Sequence, residues 1–244
     1  MSKKGAPLWP KPHLELSEQE QRVRREWLLE YSDWGYVGAL GWVQRQAHVE
    51  LEKLSRRKGA SAVTLEIGCG KGYHAQFCTG SAYVGLEHDR EHLEVAASRY
   101  RHLGPVQGDA YHLPFRPATF DRVVSVYVFE HLHDLPASLA EVRRVLKPDG
   151  ELLVGLPAEG GFAHEMGRRL TTRRRFEARY GGNYLRLARY EHPSTFSDVL
   201  EELRNRFTVQ TVRYLPFRLP TVHVNAVVAM RCVSAVPDSQ VSAK

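Results

Sequence analysis

The first quarter of the chain carries apolar residues at helical spacing. Val23, Trp27 and Tyr31 stand four residues apart behind a capping-box pattern of Ser and Glu, which predicts a helix over residues 17–31. A second apolar stripe with intervals of three and four predicts another helix over residues 40–54, ending near an Arg-Arg-Lys-Gly stop signal. These two helices form a preface to the main fold.

From residue 62 onward, short apolar runs alternate with helical stretches, which is the pattern of βαβ units around a parallel sheet. The predicted strands are 62–67, 82–86, 105–107, 121–128 and 151–156, and the predicted helices between them are 72–79, 90–103 and 134–147. A further helix is predicted over residues 195–207, followed by strands at 208–217 and 223–233. The link between these two strands is short, so they are expected to pair antiparallel.

Composition narrows the class of protein without naming its chemistry. Of the 244 residues, 43% are hydrophobic and 25% are charged, as in ordinary globular domains. No run approaches the roughly 18 apolar residues of a membrane helix, and none resembles a signal peptide. The three cysteines (Cys69, Cys78 and Cys232) have neither the even number of a disulfide framework nor a zinc-binding spacing. We therefore expect a cytoplasmic protein with reduced cysteines and no membrane partner.

The positive charge is concentrated in one segment. The net charge is +6, and between residues 157 and 195 eight arginines stand against four glutamates. The arginines are Arg168, Arg169, Arg173, Arg174, Arg175, Arg179, Arg186 and Arg189. Guanidinium groups bind phosphates and carboxylates in a bidentate manner, although charge runs are often solvated surface. An anionic acceptor is one interpretation of this segment, and a solvated helix face is the other.

A glycine-rich turn is predicted where the first strand of the sheet meets the following helix. LEIGCGKG, residues 65–72, removes side chains where the backbone must turn sharply and approach a ligand. A dinucleotide fingerprint would need glycine where Tyr73 stands, and a phosphate-binding loop would need Ser or Thr after Lys71. Neither a nicotinamide cofactor nor ATP is favoured.

The pattern E-x-G-x-G-x-G resembles the first motif of class I S-adenosylmethionine-dependent methyltransferases. The resemblance continues with YVGLEHD (residues 83–89), VQGDA (106–110), FDRVVSVYVFEHLHD (120–134) and EVRRVLKPDGELLVGLP (141–157), which together are typical of the type 11 branch. It covers about residues 62–156 and depends on several motifs in the expected order. The first helices and the arginine-rich segment lie outside it.

The resemblance implies an α/β fold with a Rossmann-like seven-stranded sheet, mostly parallel with an antiparallel last strand. Outside the resemblance, we expect the first helices to form an N-terminal helical cap over residues 1–60, before a methyltransferase domain over residues 61–244. Residues 157–193 leave the fifth strand at the edge where ligands collect, so we expect them to form an insertion over the substrate. The resemblance also implies S-adenosylmethionine as cofactor. The residues implied to bind it are Glu66, Gly68, Cys69, Gly70, Gly72, Glu87, His88, Asp109, Ala110 and Tyr127. Among these, Glu87 would accept hydrogen bonds from the ribose hydroxyls, and Asp109 and Ala110 would bind the adenine.

His131 is the leading candidate for a catalytic base, because the exit of the fourth strand should lie beside the methyl group and a histidine can titrate near neutrality. An equally strong alternative is that His131 only packs or caps a turn. Glu130, His164 and His192 are weaker candidates. No metal site is expected, since the spacing of His88 and His92 lacks the glutamate and third ligand of a zinc helix, and His131, His133 and Asp134 need not converge.

The expected acceptor is a small molecule, and a nucleic acid is disfavoured. The fourth-strand exit has neither the [DNS]-P-P-[YF] element of adenine or amide methyltransferases nor the Pro-Cys of cytosine enzymes. Two alternatives stay open: an RNA methyltransferase, suggested by the basic charge, and a cofactor-binding protein without catalysis. The aromatic residues Trp27, Tyr31, Trp34, Tyr36 and Trp42 either dock the first helices on the sheet or form a lid. The oligomeric state is left open.

Overall fold

The computed structural model describes residues 9–34, 37–56, 62–78 and 82–234. Its strands are β1 (Val63–Ile67), β2 (Ala82–Glu87), β3 (Leu103–Gln107), β4 (Phe120–Val126), β5 (Leu146–Pro157), β6 (Phe207–Leu215) and β7 (Val227–Ser234). Its α-helices are α1 (Glu18–Trp34), α2 (Gly38–Leu54), α3 (Arg90–Arg99), α4 (Leu135–Val145), α5 (Phe162–Arg168), α6 (Arg174–Tyr180), α7 (Tyr184–Glu191) and α8 (Phe196–Arg206). Short 3-10 turns cover Tyr73–Phe77 and Phe129–His131, and a π-helical turn covers Arg169–Arg173.

The seven strands form one sheet in the order β3-β2-β1-β4-β5-β7-β6. Strands β1 to β5 are parallel, whereas β7 runs antiparallel to both β5 and β6. The predicted Rossmann-like sheet with an antiparallel last strand is therefore confirmed. Because β1 and β4 are neighbours, the chain reverses its direction of travel across the sheet between them, and ligands bind at such a switch point in open α/β folds.

Two apolar layers hold the sheet. Helices α4 and α8 cover one face, where Leu139, Val142 and Leu203 pack with strand residues. Helix α2 covers the other face through Ala47 and Leu51, which pack against β4, β5 and β7. Both faces of the central strands are buried, as the continuous apolar runs in the sequence predict for parallel strands.

The predicted helix starts are made by side chains that satisfy free backbone N–H groups. Ser17 and Glu20 exchange hydrogen bonds at the start of α1, and Asp134 accepts from the N–H of Ala137 at the start of α4. At α8, Thr195 and Asp198 form a complete capping box. These short local signals fix the positions where the helices begin.

Several predicted boundaries are wrong. The helix predicted over residues 72–79 is only a five-residue 3-10 turn, and the strand predicted to reach residue 128 ends at Val126. Strand β5 begins at Leu146 rather than at residue 151, with a register irregularity opposite β4. The register irregularity accommodates the Pro-Asp-Gly sequence, which therefore lies inside β5 and does not interrupt it.

The arginine-rich segment forms a helical layer with the first helix. Trp27 of α1 packs edge-on against Phe176 of α6, with 5.3 Å between ring centroids, and Tyr184 and Leu187 of α7 complete the cluster. Helix α1 thus docks on the segment from α5 to α7, which we call the cap. Tyr36, the stop signal at residues 57–59 and the tail after residue 236 lie outside the described residues.

Candidate cofactor and acceptor site

The three glycines after β1 have different physical roles. All three adopt positive φ angles, of 67° at Gly68, 49° at Gly70 and 78° at Gly72, which other residues adopt at a cost. A Cβ on Gly68 would lie 2.5 Å from Val128, and one on Gly72 would lie 2.9 Å from the ring of Tyr100. A Cβ on Gly70 would meet nothing within 4 Å. Open space for a ligand therefore lies over Gly70, while Gly68 and Gly72 are required by packing.

Glu87 lies at the end of β2 with its carboxylate over this turn. It accepts hydrogen bonds from the N–H of Gly70 at 2.9 Å and from the N–H of Asp89 at 2.9 Å, and His88 lies 2.7 Å away. Burial opposes ionisation, but the bond from His88 and the two N–H groups outweigh it and lower the pKa of Glu87. A charged carboxylate beside the open space at Gly70 suits the ribose of S-adenosylmethionine.

Other predicted cofactor residues surround the same turn. The backbone N–H groups of Gly68 and Cys69 both donate to the carbonyl of Leu86 at 2.8 and 3.0 Å, which ties the turn to β2. Glu66 is buried on the sheet, accepts a hydrogen bond from Tyr83, and has its pKa raised by burial. Cys69 is buried and forms no disulfide, and its thiol donates to the carbonyl of Gly70 at 3.8 Å.

Asp109 and Ala110 follow β3 at the neighbouring edge position. The Asp109 carboxylate is exposed and accepts from the N–H of Tyr111 at 2.9 Å, and Ala110 is half-buried. Tyr127 ends β4 with a φ of 58°, and its hydroxyl donates to the carbonyl of Gln44 in α2 at 3.1 Å. Binding of the cofactor by these residues stays a prediction.

The exit of β4 brings the cofactor turn next to a cluster of ionisable side chains. Val128 contacts Gly68, and His131 follows three residues later. The ring of His131 meets the ring of His192 edge-on, with centroids 4.4 Å apart. The Nδ1 atom of His192 lies 2.6 Å from a carboxylate oxygen of Glu159. We call Glu159, His192 and His131 the acceptor cluster.

The two histidines of the acceptor cluster have opposite pKa shifts. Burial lowers the pKa of His192, but the hydrogen bond to Glu159 outweighs it and raises the pKa. For His131, desolvation by the surrounding protein and electrostatic repulsion from His192 lower the pKa, although the residue as a whole is exposed. The Nδ1 atom of His131 lies 2.6 Å from the carbonyl of Glu191. His131, the leading sequence candidate, is thus the weaker base of the two.

Two further polar groups are buried beside the acceptor cluster. Glu130 is 2% exposed, and one of its carboxylate oxygens has no hydrogen-bond partner. Burial raises the pKa of Glu130 to about 8, which favours its protonated form at neutral pH. The Nδ1 atom of His164 also has no hydrogen-bond partner, and a carboxylate oxygen of Glu165 lies 3.9 Å from it. Unsatisfied buried polar atoms are rare in folded proteins and mark places where a ligand completes the hydrogen bonding.

Sequence reasoning missed Glu159. It is a single acid outside the recognised motifs, and His192, its partner, lies 33 positions later. The only available signal was its position just after β5, at the same sheet edge as the exit of β4.

The arginines of the cap are mostly engaged on the surface. Arg173 pairs with Glu177 at 2.7 Å and Arg179 pairs with Glu30 at 2.6 Å. Arg168 is the one that faces the acceptor cluster: it pairs with Glu165 and its charge helps lower the pKa of Glu159.

A second buried polar network lies under α2. Glu52, His74 and Cys78 each place one potential ligand atom within 4.8 Å of the others. Arg122, which is 2% exposed, donates to Glu52 at 2.9 Å and to the Cys78 sulfur at 3.2 Å. A guanidinium already balances the carboxylate, and burial raises the pKa of the Cys78 thiol. We therefore interpret the group as an ion-pair network, and the absence of a metal site stays a prediction.

His88 and His92 have the spacing that lacks the glutamate of a zinc helix. Between them, Asp89 caps α3 by accepting a hydrogen bond from the N–H of His92.

Comparison with known proteins identifies the family. A methyltransferase-domain family, type 11, matches residues 65–154. A malonyl-[acyl-carrier protein] O-methyltransferase of Erwinia pyrifoliae is 33% identical in an alignment 183 positions long, gaps included, that covers 67% of this chain and 67% of that protein. The chain belongs to the class I S-adenosylmethionine-dependent methyltransferases, type 11 branch. The predicted family and its cofactor are therefore confirmed.

Other relatives extend the comparison. A probable S-adenosylmethionine-dependent methyltransferase of Mycolicibacterium smegmatis is 35% identical over 118 residues, covering 48% of this chain and 45% of that protein. The chain thus matches a little under half the length of this relative. The fold also matches an S-adenosylmethionine-dependent methyltransferase of Thermotoga maritima, with a TM-score of 0.61, 21% identity and coverage of 88% of this chain and 99% of the other. None of the described helices is both long and apolar enough to cross a membrane.

Proposed function

We propose that this chain transfers the methyl group of S-adenosylmethionine to an oxygen atom of a small-molecule acceptor. One observation carries the proposal: the contact between Val128 and Gly68 joins the glycine turn to the acceptor cluster at the edge of the sheet where parallel strands end. Methyl transfer needs this proximity, because alignment of the methyl group with its nucleophile supplies most of the rate enhancement.

On the cofactor side, the proposal gives each residue a task. Glu87 accepts from the ribose hydroxyls, Gly70 leaves room for the ligand, and Asp109 and Ala110 bind the adenine. When bound, the cofactor supplies a methyl group on a positively charged sulfur. The buried Glu130, in its protonated form, adds a hydrogen-bond donor without placing a negative charge in the site.

On the acceptor side, we propose His192 as the proton acceptor and Glu159 as the residue that orients it. A histidine whose Nδ1–H is held by a carboxylate presents Nε2 to a substrate, as in other enzymes with paired bases. His131 stays a candidate for the same task or for positioning the acceptor. Support for an oxygen nucleophile comes from this pair and from the name of the Erwinia relative, an O-methyltransferase. Arg168 would attract an acceptor that carries negative charge.

Two experiments test the proposal. Calorimetric titration with S-adenosylmethionine and with nicotinamide dinucleotides should give binding of the former only. Mass spectrometry of a metabolite extract incubated with the protein and isotopically labelled cofactor should then identify the acceptor as a compound that gains one methyl group. Binding of the dinucleotide alone would contradict the proposal, and binding without any labelled product would favour a cofactor-binding protein without catalysis.

An RNA acceptor is less well supported. Arg168, Arg173, Arg179 and Arg186 each form an ion pair with a glutamate of this chain, which leaves less free positive charge for a phosphate backbone. Tight and steeply salt-dependent binding of RNA would revive this alternative. We keep the cytoplasm as the proposed location, since three free buried cysteines suit a reducing compartment.

A further inference from the structure

The cap presents large apolar side chains to solvent along one line. Phe162, Met166 and Leu170 are 66%, 37% and 62% exposed, and Arg174 follows at the same spacing of four on the exposed face. On the opposite side of the same helical stretch, Phe176 is 2% exposed. The cap therefore has one face that packs on α1 and an outward face with an apolar stripe, which we define as Phe162, Met166 and Leu170.

Helix α5 and the π-helical turn after it carry this stripe. In an α-helix each step of four residues rotates the side chain by about 40° beyond a full turn, so Phe162, Met166 and Leu170 lie within roughly 80° of one another on one side of the helix. The turn over Arg169–Arg173 has more residues per turn and reverses part of this drift before Arg174. Arg174 consequently lies on the same side as the stripe. Such π-turns in helices often occur at functional sites.

A neighbouring loop extends the apolar surface. Phe217, Leu219 and Val224 of the loop between β6 and β7 are 68%, 53% and 38% exposed. The loop is tied to the start of the cap, where the N–H of Ala163 donates to the carbonyl of His223 at 2.8 Å. Among the described residues, six of the ten large exposed apolar side chains lie in the stripe and this loop. We define these six side chains together as the docking face.

The charges around the docking face are predominantly positive. Residues 162–180 contain six arginines and two glutamates, and both glutamates are paired with arginines of the cap. Arg169 and Arg174, which flank the stripe, are exposed and pair with no acid in the described part of the chain. The loop from residue 216 to residue 226 has no acid, and its one arginine, Arg218, pairs with Glu50 at 3.1 Å. The surface is thus complementary to a negatively charged partner with an apolar interior.

A lipid surface fits this shape better than a folded protein does. The apolar side chains project outward from the surface of a helix, so a protein partner would need a groove that matches them. A lipid layer accommodates projecting apolar side chains between its head groups, while flanking arginines contact anionic head groups. We propose that the docking face binds reversibly to anionic lipid surfaces, with the cap lying along the interface. The sequence-based expectation of no membrane partner was drawn from the lack of a spanning segment, which peripheral docking does not require.

Vesicle co-sedimentation tests the proposal with the full chain and without cofactor or acceptor. Wild-type protein should sediment with vesicles of phosphatidylcholine and phosphatidylglycerol in equal parts, less so in high salt, and should not sediment with phosphatidylcholine alone. Replacing the stripe in F162Q/L170Q should abolish sedimentation. R169Q/R174Q should lower the partition coefficient by about five-fold for each arginine removed.

Matched controls separate the docking face from general surface properties. L29Q/L185Q removes two exposed leucines from α1 and α7, and R143Q/R204Q removes two exposed arginines from α4 and α8. Both controls should bind vesicles like wild type, and circular dichroism should give the same folded spectrum for all variants. Failure of the wild type to bind anionic vesicles would overturn the proposal and leave the face to an acidic protein or a second copy. Equal loss in test and control variants would also overturn it, because net charge or net apolarity alone would then explain binding.

Discussion

Single residues at the glycine turn test the proposed cofactor site. One oxygen of Glu87 accepts from Gly70 in the turn and the other from Asp89, and the lowered pKa of this carboxyl favours its charged form. We expect Glu87→Ala to weaken the affinity for S-adenosylmethionine by about 10- to 150-fold, since a charge-assisted hydrogen bond contributes about 1.5–3 kcal/mol. Calorimetry measures this directly. The control Glu94→Gln, which changes an exposed acid of α3, should leave affinity unaltered.

Gly70 and Gly72 offer a comparison of binding with packing. Alanine at Gly72 would combine an unfavourable φ with a Cβ 2.9 Å from Tyr100, so Gly72→Ala should lower the free energy of unfolding by about 3 kcal/mol. Gly70→Ala meets only the φ penalty of about 1 kcal/mol, but its methyl group would occupy the space open to the cofactor. Gly72→Ala should therefore be the less stable variant in urea unfolding, whereas Gly70→Ala should be the weaker binder in cofactor titration. The same ranking in both assays would contradict these roles.

At the scale of elements, α2 is held to the sheet by a buried ion pair. Burial opposes the charge on Glu52, but His74 and Arg122 outweigh it and lower its pKa from 4.5 to about 2. Because the pKa of Glu52 is lowered in the folded state, the stabilisation that this ion pair gives is fully present above the ordinary pKa of a glutamate and is lost as the pH falls towards 2. This stabilisation amounts to about 3 kcal/mol. Urea midpoints of wild type should fall between about pH 5 and about pH 3, and Glu52→Gln should be less stable at neutral pH with a flatter profile. An unchanged slope in the variant would argue against this ion pair.

A hydrogen bond between His192 and Glu159 links the end of the cap to the residues that follow β5. Because this bond raises the pKa of His192, Glu159→Gln should move the titration of His192 to lower pH. Nuclear magnetic resonance of the imidazole protons follows this shift without knowledge of the acceptor. Glu201→Gln, in an exposed position of α8, serves as the control. An identical titration in Glu159→Gln would mean that the carboxylate does not set the basicity of His192.

For the whole molecule, cofactor binding should raise thermal stability. The turn proposed to bind the cofactor follows β1, is bonded to β2 through Leu86 and lies beside the exit of β4 at Val128, so it joins three neighbouring strands of the sheet. At a ligand concentration of about 100 times the dissociation constant, the gain is about 2.7 kcal/mol, or roughly 5–10 °C in Tm for a chain of this size. A thermal scan with S-adenosylmethionine and with a nicotinamide dinucleotide checks this, and a shift with the dinucleotide alone would contradict the assignment.

The sequence predicts what local signals encode. Capping residues such as Ser17, Asp134 and Thr195 mark helix starts within a residue or two of their observed positions, and the motifs identify the family. It fails where distant parts of the chain decide the outcome. Tyr127 ends β4 early by adopting a positive φ, and Glu159 gains its role only through His192. The sequence does not predict where the helices of the cap begin and end, because the run of arginines hides the periodic spacing of their apolar residues.

The position of β7 has a consequence for the order of events during synthesis. This strand lies between β5 and β6, yet it is the last of the three to be translated. Until residues 227–234 emerge from the ribosome, β5 has an unpaired edge and β6 has no strand to join. Exposed strand edges recruit other chains, so a nascent chain that pauses before Val227 is vulnerable to aggregation at that edge. Strand β7 therefore joins β6 to the rest of the sheet, and termination before it would leave β6 without its partner and β5 with an open edge, which is more damaging than the loss of a single edge strand.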